Sequence, residues 1–165
     1  MPPRRRIEPG PGQESVWDYP RPPSRERSGR HVQVRLGGQL IADSTAPWRV
    51  CETSHPPVYY LPRADIADGV LTPGDGGSYC EFKGAAAYWH VSGGGTQQRN
   101  AGWSYPHPTG AFAEMADAVA FYPALMGECT VDGEVVTAQA GGFYGGWITA
   151  EVVGPFKGEP GTWGW

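Results

Sequence analysis

Hydrophobic and polar positions alternate from His31 onward. Val32, Val34 and Leu36 fall on one face while His31, Gln33 and Arg35 fall on the other, the period of a half-buried strand. Gly37-Gly38 then supplies the two positive-φ positions of a two-residue hairpin, which places Val34 opposite Ile41. The same design recurs at Cys129-Thr130-Val131, Asp132-Gly133 and Glu134-Val135-Val136, with Cys129 opposite Val136. Between these hairpins short strands are predicted near 48–52, 58–61, 78–83, 86–91 and 98–105. Turn chemistry separates them at His55-Pro56-Pro57, Pro73-Gly74-Asp75-Gly76-Gly77 and Gly93-Gly94-Gly95. Residues Asp65 to Val70 read as one helical turn. A helical period shows only from Gly110 to about Val119, where Phe112, Met115 and Val119 recur at spacings of three and four, Thr109 can cap the start, and Pro123 stops extension. The predicted class is mainly β, with compact antiparallel sheets, one short helix near 110–119 and long loop-like tails.

Outside this patterned stretch the chain changes character. Residues 1–30 form an arm of Pro, Gly, Arg and Ser, which should run extended and stay out of central strands because proline lacks the backbone donor. Its cluster Trp17-Asp18-Tyr19-Pro20 is expected to anchor the arm on the body. Order should begin at His31 and continue through a β core to residue 137. Residues 138–165 form a Gly/aromatic tail carrying Phe143, Tyr144, Trp147, Phe156, Trp163 and Trp165. Leaving those rings in water would forgo several kcal/mol at ~25 cal/mol per Å². The tail should therefore wrap the body or a neighbouring subunit, which makes a homo-oligomer through the aromatic tails a candidate assembly, and should roof a pocket beside Trp103.

Composition sharpens the class. Glycine (25) and proline (17) make up about a quarter of the 165 residues, which excludes bundles and coiled coils. Twenty aromatic residues supply a core that such a composition would otherwise lack. The arm carries seven Arg against four acids, while residues 31–165 carry six bases against thirteen acids. An acidic body argues against nucleic acid as a partner, and the arm's arginines read as a solvated basic segment. No apolar run suits a signal peptide or a membrane span, so a cytoplasmic protein is expected, with Cys51, Cys80 and Cys129 reduced. Neither the three cysteines nor His31, His55, His90 and His107 have chelating spacing; no metal and no cofactor are expected. Phosphate-loop and serine-nucleophile motifs are absent, and Gly76-Gly77-Ser78 lacks the paired aspartates of two-metal nucleotidyl transfer.

Three segments carry candidate chemistry. Strand alternation puts Glu52 on the face of Trp48 and Val50, where a carboxylate needs a cation or several donors; a strand-end carboxylate accepting backbone N–H bonds is the competing reading. In Ser78 to Val91, Lys83 is one of only two lysines. A bulge at Gly84 could aim it inward, to pair with a carboxylate, anchor an anion or act as a nucleophile. Cys80 beside Phe82 is most simply a small core residue, and a nucleophile only with a cation or base at hand. In Asn100 to Pro108, Ala101, Trp103 and Tyr105 share a face opposite Ala87, Trp89 and Val91. With Tyr59, Tyr60 and Tyr122 these rings either interlock as core or wall a small-molecule slot.

Ile41-Ala42-Asp43-Ser44, Glu52-Thr53 with Pro57-x-Tyr59-Tyr60-x-Pro62, Cys80-x-x-Lys83-Gly84 with Tyr88-Trp89, Trp103-x-Tyr105-Pro106 and Ala120-Phe121-Tyr122 together resemble the bacterial family called domain of unknown function 427. The resemblance spans roughly residues 31–137, and the arm and tail look like the family's longer versions. It implies a compact β fold akin to the β-tent of methionine sulfoxide reductase B and the thalidomide-binding domain of cereblon. The two Cys-x-x-Cys zinc pairs common among those relatives are missing here, so no zinc function carries over. A nucleotidyltransferase label borne by some members meets the same objection as above, the missing acidic pair.

The expected function is thus a small-molecule pocket, binding or enzymatic. Cys80, Lys83 and Glu52 are the catalytic candidates, and Tyr59, Tyr60, Trp103, Tyr105 and Tyr122 the ligand-binding ones. In an enzyme Lys83 would hold or polarise an anionic or carbonyl group while Glu52 or a tyrosine moves a proton. The alternative is a non-catalytic protein-interaction module in which these residues form a structural polar core.

Overall fold

Alternation becomes pairing in the computed structural model, which describes residues 7–20, 23–80, 84–106, 110–116, 118–139 and 145–157. The arm contributes β1 (Glu14–Ser15) and β2 (Ser24–Arg27). The body continues with β3 (Val32–Leu36), β4 (Gln39–Ser44), β5 (Trp48–Cys51), β6 (Val58–Tyr60), β7 (Leu71–Cys80), β8 (Gly84–Gly93) and β9 (Thr96–Ser104). After one 3-10 turn come β10 (Val119–Phe121), β11 (Glu128–Val131) and β12 (Glu134–Val135), and then β13 (Thr137–Ala138), β14 (Trp147–Ile148) and β15 (Val152–Val153). The chain is mainly β and its larger sheets are antiparallel.

Strands β12-β11-β3-β4 form one sheet, β2-β5-β6 a second and β10-β9-β8-β7 a third. The second and third continue one another where Leu61 and Val119 exchange backbone hydrogen bonds of 2.8 and 2.9 Å. The main core gathers Val32, Val34, Leu36 and Ile41 of the first sheet with Leu61, Val91, Val119 and Phe121 of this composite. Each such side chain, fully buried, contributes roughly 1.5–3 kcal/mol. Trp147 of β14 completes it with no exposed surface. Its backbone N–H donates to the Pro57 carbonyl (2.8 Å) and its indole N–H to the Phe121 carbonyl (3.2 Å).

The two short hairpins have the expected turns, with positive φ at Gly37 and Gly38 and at Asp132 and Gly133. The first pairing differs by one residue: Arg35 faces Leu40, but Val34 faces Ala42. Ile41 is the extra residue of a β-bulge, and its carbonyl accepts instead from the Ala67 N–H (2.9 Å). The bulge lets Ile41 and Ala42 both bury. Gly93-Gly94-Gly95 is the turn between β8 and β9, as its neighbours require, but 73–77 is not a turn. There β7 runs on as an edge strand with a register shift, which accommodates Pro73 without losing a ladder donor. The Asp75 N–H bonds Asn100 Oδ1 (2.8 Å), and a Cβ on Gly74 would lie 2.8 Å from the Tyr88 backbone, so the segment hugs the sheet. Lys83, which the bulge expected at Gly84 would re-aim, lies outside the described residues.

Two further expectations need correction. The helix is a single 3-10 segment, Gly110–Met115, and Val119 opens β10. Phe112 and Met115 do share a buried face, because spacing three suits three residues per turn. The spacing of four to Val119 reflects a strand whose three residues are all buried. Thr109 lies outside the described residues. Order, in turn, begins before His31: the arm stays out of central strands, but β2 pairs antiparallel with β5 as an edge strand, Ser24 facing Cys51 and Arg27 facing Trp48. Residues 24–27 hold no proline, so their donors are intact. Arg27 and Arg25 are more than solvated charges, since their guanidinium groups stand 4.5 and 5.7 Å from the Trp48 ring centre. Trp17 donates its indole N–H to the Pro155 carbonyl (2.9 Å), and β1 pairs in parallel with β15, so arm and tail meet on the body.

Candidate functional site

Successive side chains of β5 point to opposite faces of its sheet, and the two faces differ in chemistry. Trp48 and Val50 join Tyr60, Trp103, Phe112, Met115 and Ala120 in a second apolar cluster, flanked by the half-buried Val58, Tyr88, Tyr105 and Tyr122. Arg49 and Cys51 face the other way, into a polar network with the arm and tail.

The second cluster does not close. A cavity of about 150 Å³ remains among its rings, lined by Tyr60, Tyr88, Trp103, Tyr105 and Tyr122, with Glu52 and His55 also in its wall. The Trp103 indole donates to the Tyr60 hydroxyl (3.1 Å) and meets that ring nearly edge-on at 6.1 Å. Tyr122 lies 4.5 Å from Trp103 and Tyr105 lies 6.4 Å from Tyr60, centre to centre. Burial pushes the Tyr122 hydroxyl above its usual range, with Tyr88 adding to the shift, so the hydroxyl stays a neutral donor near neutral pH.

Glu52 and His55 belong to a tight turn that the rest of the chain holds in place. The His55 N–H bonds the Glu52 carbonyl (3.0 Å), and Ser54 adopts φ 69°, rare for a residue with a Cβ. The Ser54 N–H donates to the Val16 carbonyl (3.1 Å) of the arm, and its carbonyl accepts from the Lys157 N–H (2.8 Å) of the tail. His55 Nδ1 lies 2.9 Å from the Thr53 carbonyl. A carbonyl only accepts, so Nδ1 carries a proton and Nε2 bears the lone pair of the neutral ring.

The tail supplies the remaining wall. Gly145 sits so close to Trp103 that a Cβ there would fall 2.2 Å from the ring edge, and one on Gly146 would meet Gln139 Oε1 at 2.5 Å and Pro56 at 2.8 Å. Gln139 fixes this strap, accepting from the Gly146 N–H (3.1 Å) and donating to the Lys157 carbonyl (2.6 Å). Gly145→Val should therefore displace the strap or the Trp103 ring, lowering stability by about 1–3 kcal/mol and shifting tryptophan fluorescence. An unchanged emission spectrum and an unchanged melting temperature would contradict this packing.

Of the residues singled out from the sequence, Glu52, Tyr60, Trp103, Tyr105 and Tyr122 come together around one pocket. Tyr59 does not: adjacent to Tyr60 on β6, it faces the main core, 5.4 Å from Trp147, with its hydroxyl 3.4 Å from Glu151. Its hydroxyl is pushed up to about 12, first by burial, which the neighbouring Arg49 only partly opposes. Lys83 lies outside the described residues, as does the side chain of Cys80, whose backbone ends β7 opposite Gly84. Burial holds the thiols of Cys51 and Cys129 protonated, at about 11 and about 12, which suits packing and not nucleophilic chemistry. Among the described residues no group of three or more His, Cys, Asp or Glu could hold a metal ion.

Tyr88, His55 and Gln139 escaped sequence reading. Trp103 pairs with Tyr88: the register at the Gly93–Thr96 end would bring Ala86 opposite it, and the shift between Trp89 and Val91 moves the ladder by two residues. Trp89 turns to the opposite face, donating to Ser104 Oγ (3.0 Å) beneath the Arg63 guanidinium at 4.6 Å. For His55 the available signal was its place three residues after Glu52 in a proline-bounded turn.

The family described as Domain of unknown function (DUF427) matches residues 24–133, two-thirds of the chain, beginning at β2. No curated protein matches it. Among the described residues no helix is long and apolar enough to cross a membrane.

Proposed function

Because the chain belongs to the DUF427 family, whose description names no reaction, its activity must be read from its own side chains, and we propose that it binds a small molecule in the aromatic pocket. One observation carries this reading: rings from three strands and from the residues just past β9 and β10 stop short of filling their own centre, and a carboxylate and an imidazole open onto the space left. A purely structural aromatic cluster gains by interlocking, whereas a ring-walled cleft with few polar groups suits a ligand. If chemistry follows binding, Glu52 and His55 are the residues placed to move a proton. Buried, unpaired Cys51 and Cys129 and the acidic body support action in a reducing compartment such as a bacterial cytoplasm, away from nucleic acid.

A thermal-shift screen against metabolites tests the reading. We expect at least one compound to raise the melting temperature of the parent protein, and Glu52→Gln to melt within about 2 °C of the parent while losing that response. Strong destabilisation of Glu52→Gln with no responding compound would favour the structural polar core of an interaction module.

A further inference from the structure

We propose that the arm is a clasp for the turn in the pocket wall: Glu52-Thr53-Ser54-His55 keeps its shape only while residues 14–20 are docked, and relaxes when they lift away. The clasp itself rests on geometry alone; its control over binding rests on the pocket being a binding site. The turn is one that its own sequence does not favour. The His55 N–H closes it onto the Glu52 carbonyl (3.0 Å), which makes Ser54 its third residue, at φ 69°. Positive φ at that position is the type II pattern, which glycine adopts without steric cost and serine does not. Ser54 is also only 2 % exposed, and its Oγ has no hydrogen-bond partner among the described residues, a second cost. A conformation of this kind persists only where its surroundings over-determine it.

Those surroundings are the arm and the tail. The Thr53 N–H donates to the Pro20 carbonyl (3.3 Å) and the Ser54 N–H to the Val16 carbonyl (3.1 Å), while the Ser54 carbonyl accepts from the Lys157 N–H (2.8 Å). The arm is held in turn at few points. Val16 is fully buried, the Glu14 N–H donates to the Glu151 carbonyl (2.7 Å), the Trp17 indole donates to the Pro155 carbonyl (2.9 Å), and Glu14 and Tyr19 reach Arg49. Its strand β1 is two residues long. A segment so attached opens locally at a lower free energy than the core, and the bonds that depend on it open with it. Released from Val16, Ser54 returns to negative φ, which turns the peptide planes on both sides of it and moves His55 relative to Glu52.

Amide hydrogen exchange of the full chain, read residue by residue by NMR, tests the clasp. Trp17→Ala deletes the bond to Pro155 without touching the turn, and should accelerate exchange at Glu14, Ser54 and His55 by one common factor of about fivefold or more, with Leu61 of the core unchanged. Trp17→Phe, which keeps a ring and loses the donor, serves if the alanine variant fails to fold. In a Ser54→Gly background the turn needs no clasp, so Trp17→Ala should still accelerate Glu14 but leave His55 within about twofold of its rate in Ser54→Gly alone. Acceleration at Glu14 without His55, at all four amides alike, or at none would overturn the clasp, as would acceleration of His55 that persists with Gly at position 54. These readouts need no ligand, so their failure leaves the pocket reading standing, whereas a metabolite screen without a responder strikes the pocket reading and leaves the clasp.

Discussion

Trp147→Ala should lower the stability of this protein by about 3–5 kcal/mol, the range for truncating a buried large aromatic side chain. No surface of Trp147 reaches solvent, its ring meets Tyr59 at 5.4 Å, and its removal would also orphan the Phe121 carbonyl that the indole N–H now satisfies at 3.2 Å. Denaturant unfolding monitored by far-UV circular dichroism checks it. A loss under about 1 kcal/mol would mean that the tail contributes little to the core. Trp147→Phe should recover part of the loss, since it restores ring burial without the donor.

The second large effect is expected at Arg49. Its guanidinium, on a side chain 11 % exposed, is bonded to Glu14, to the Tyr19 hydroxyl (3.1 Å), to Glu26 (3.3 Å) and to the Cys51 thiol (3.3 Å), with Glu151 at 3.7 Å. Arm, body and tail thus share one cation. Arg49→Met keeps much of the volume but strands Glu151 with less compensation, and should cost about 3 kcal/mol, the lower end of the range for broken buried pairs because Glu14 and Glu26 retain contact with water.

The network also fixes an acid limb. Burial tends to raise the Glu14 carboxyl, but hydrogen bonds from Tyr19 and Arg49 outweigh it and hold the group below its ordinary 4.5. A carboxylate depressed by folding contributes stability that is complete above its unfolded value and is lost as pH falls through its folded one. Stability should therefore decline below about pH 4.5 in the parent and decline less in Arg49→Met. Parallel acid limbs would show that Glu14 owes nothing to Arg49.

Those two predictions rest on residues that sequence patterning weighs very differently. The alternation at Val32–Leu36 and at Cys129–Val131 was legible because one face of each strand is apolar and each turn holds a glycine. Trp48, Val50 and Glu52 could be placed on one face by period alone, and Trp103, Tyr105 and Tyr122 grouped by ring chemistry. What could not be read is whatever depends on a partner strand. The bulge at Ile41 answers to a loop donor at Ala67, and the pairing of Trp103 with Tyr88 answers to a register shift, neither of which leaves a local mark. Tyr59 was grouped with the pocket although period two already sends it to the face opposite Tyr60. Arg49 looked like an ordinary strand residue because its counter-charges lie 35 residues upstream and 102 downstream.

The meeting of the β2-β5-β6 and β10-β9-β8-β7 sheets has a mechanical consequence. Glu52 and Tyr60 stand on one side of the Leu61–Val119 pair, and Trp103, Tyr105 and Tyr122 on the other, so the pocket straddles a joint only one residue pair wide among the described residues. Trp147 crosses that joint as a rivet, its backbone fastened to Pro57 on the first side and its indole to Phe121 on the second. The spacing between the pocket's two walls is therefore set by a residue that touches neither the cavity nor its contents, from a segment outside the 24–133 stretch matched by the family. A chain lacking that segment would keep every ring of the pocket and lose the gauge that spaces them.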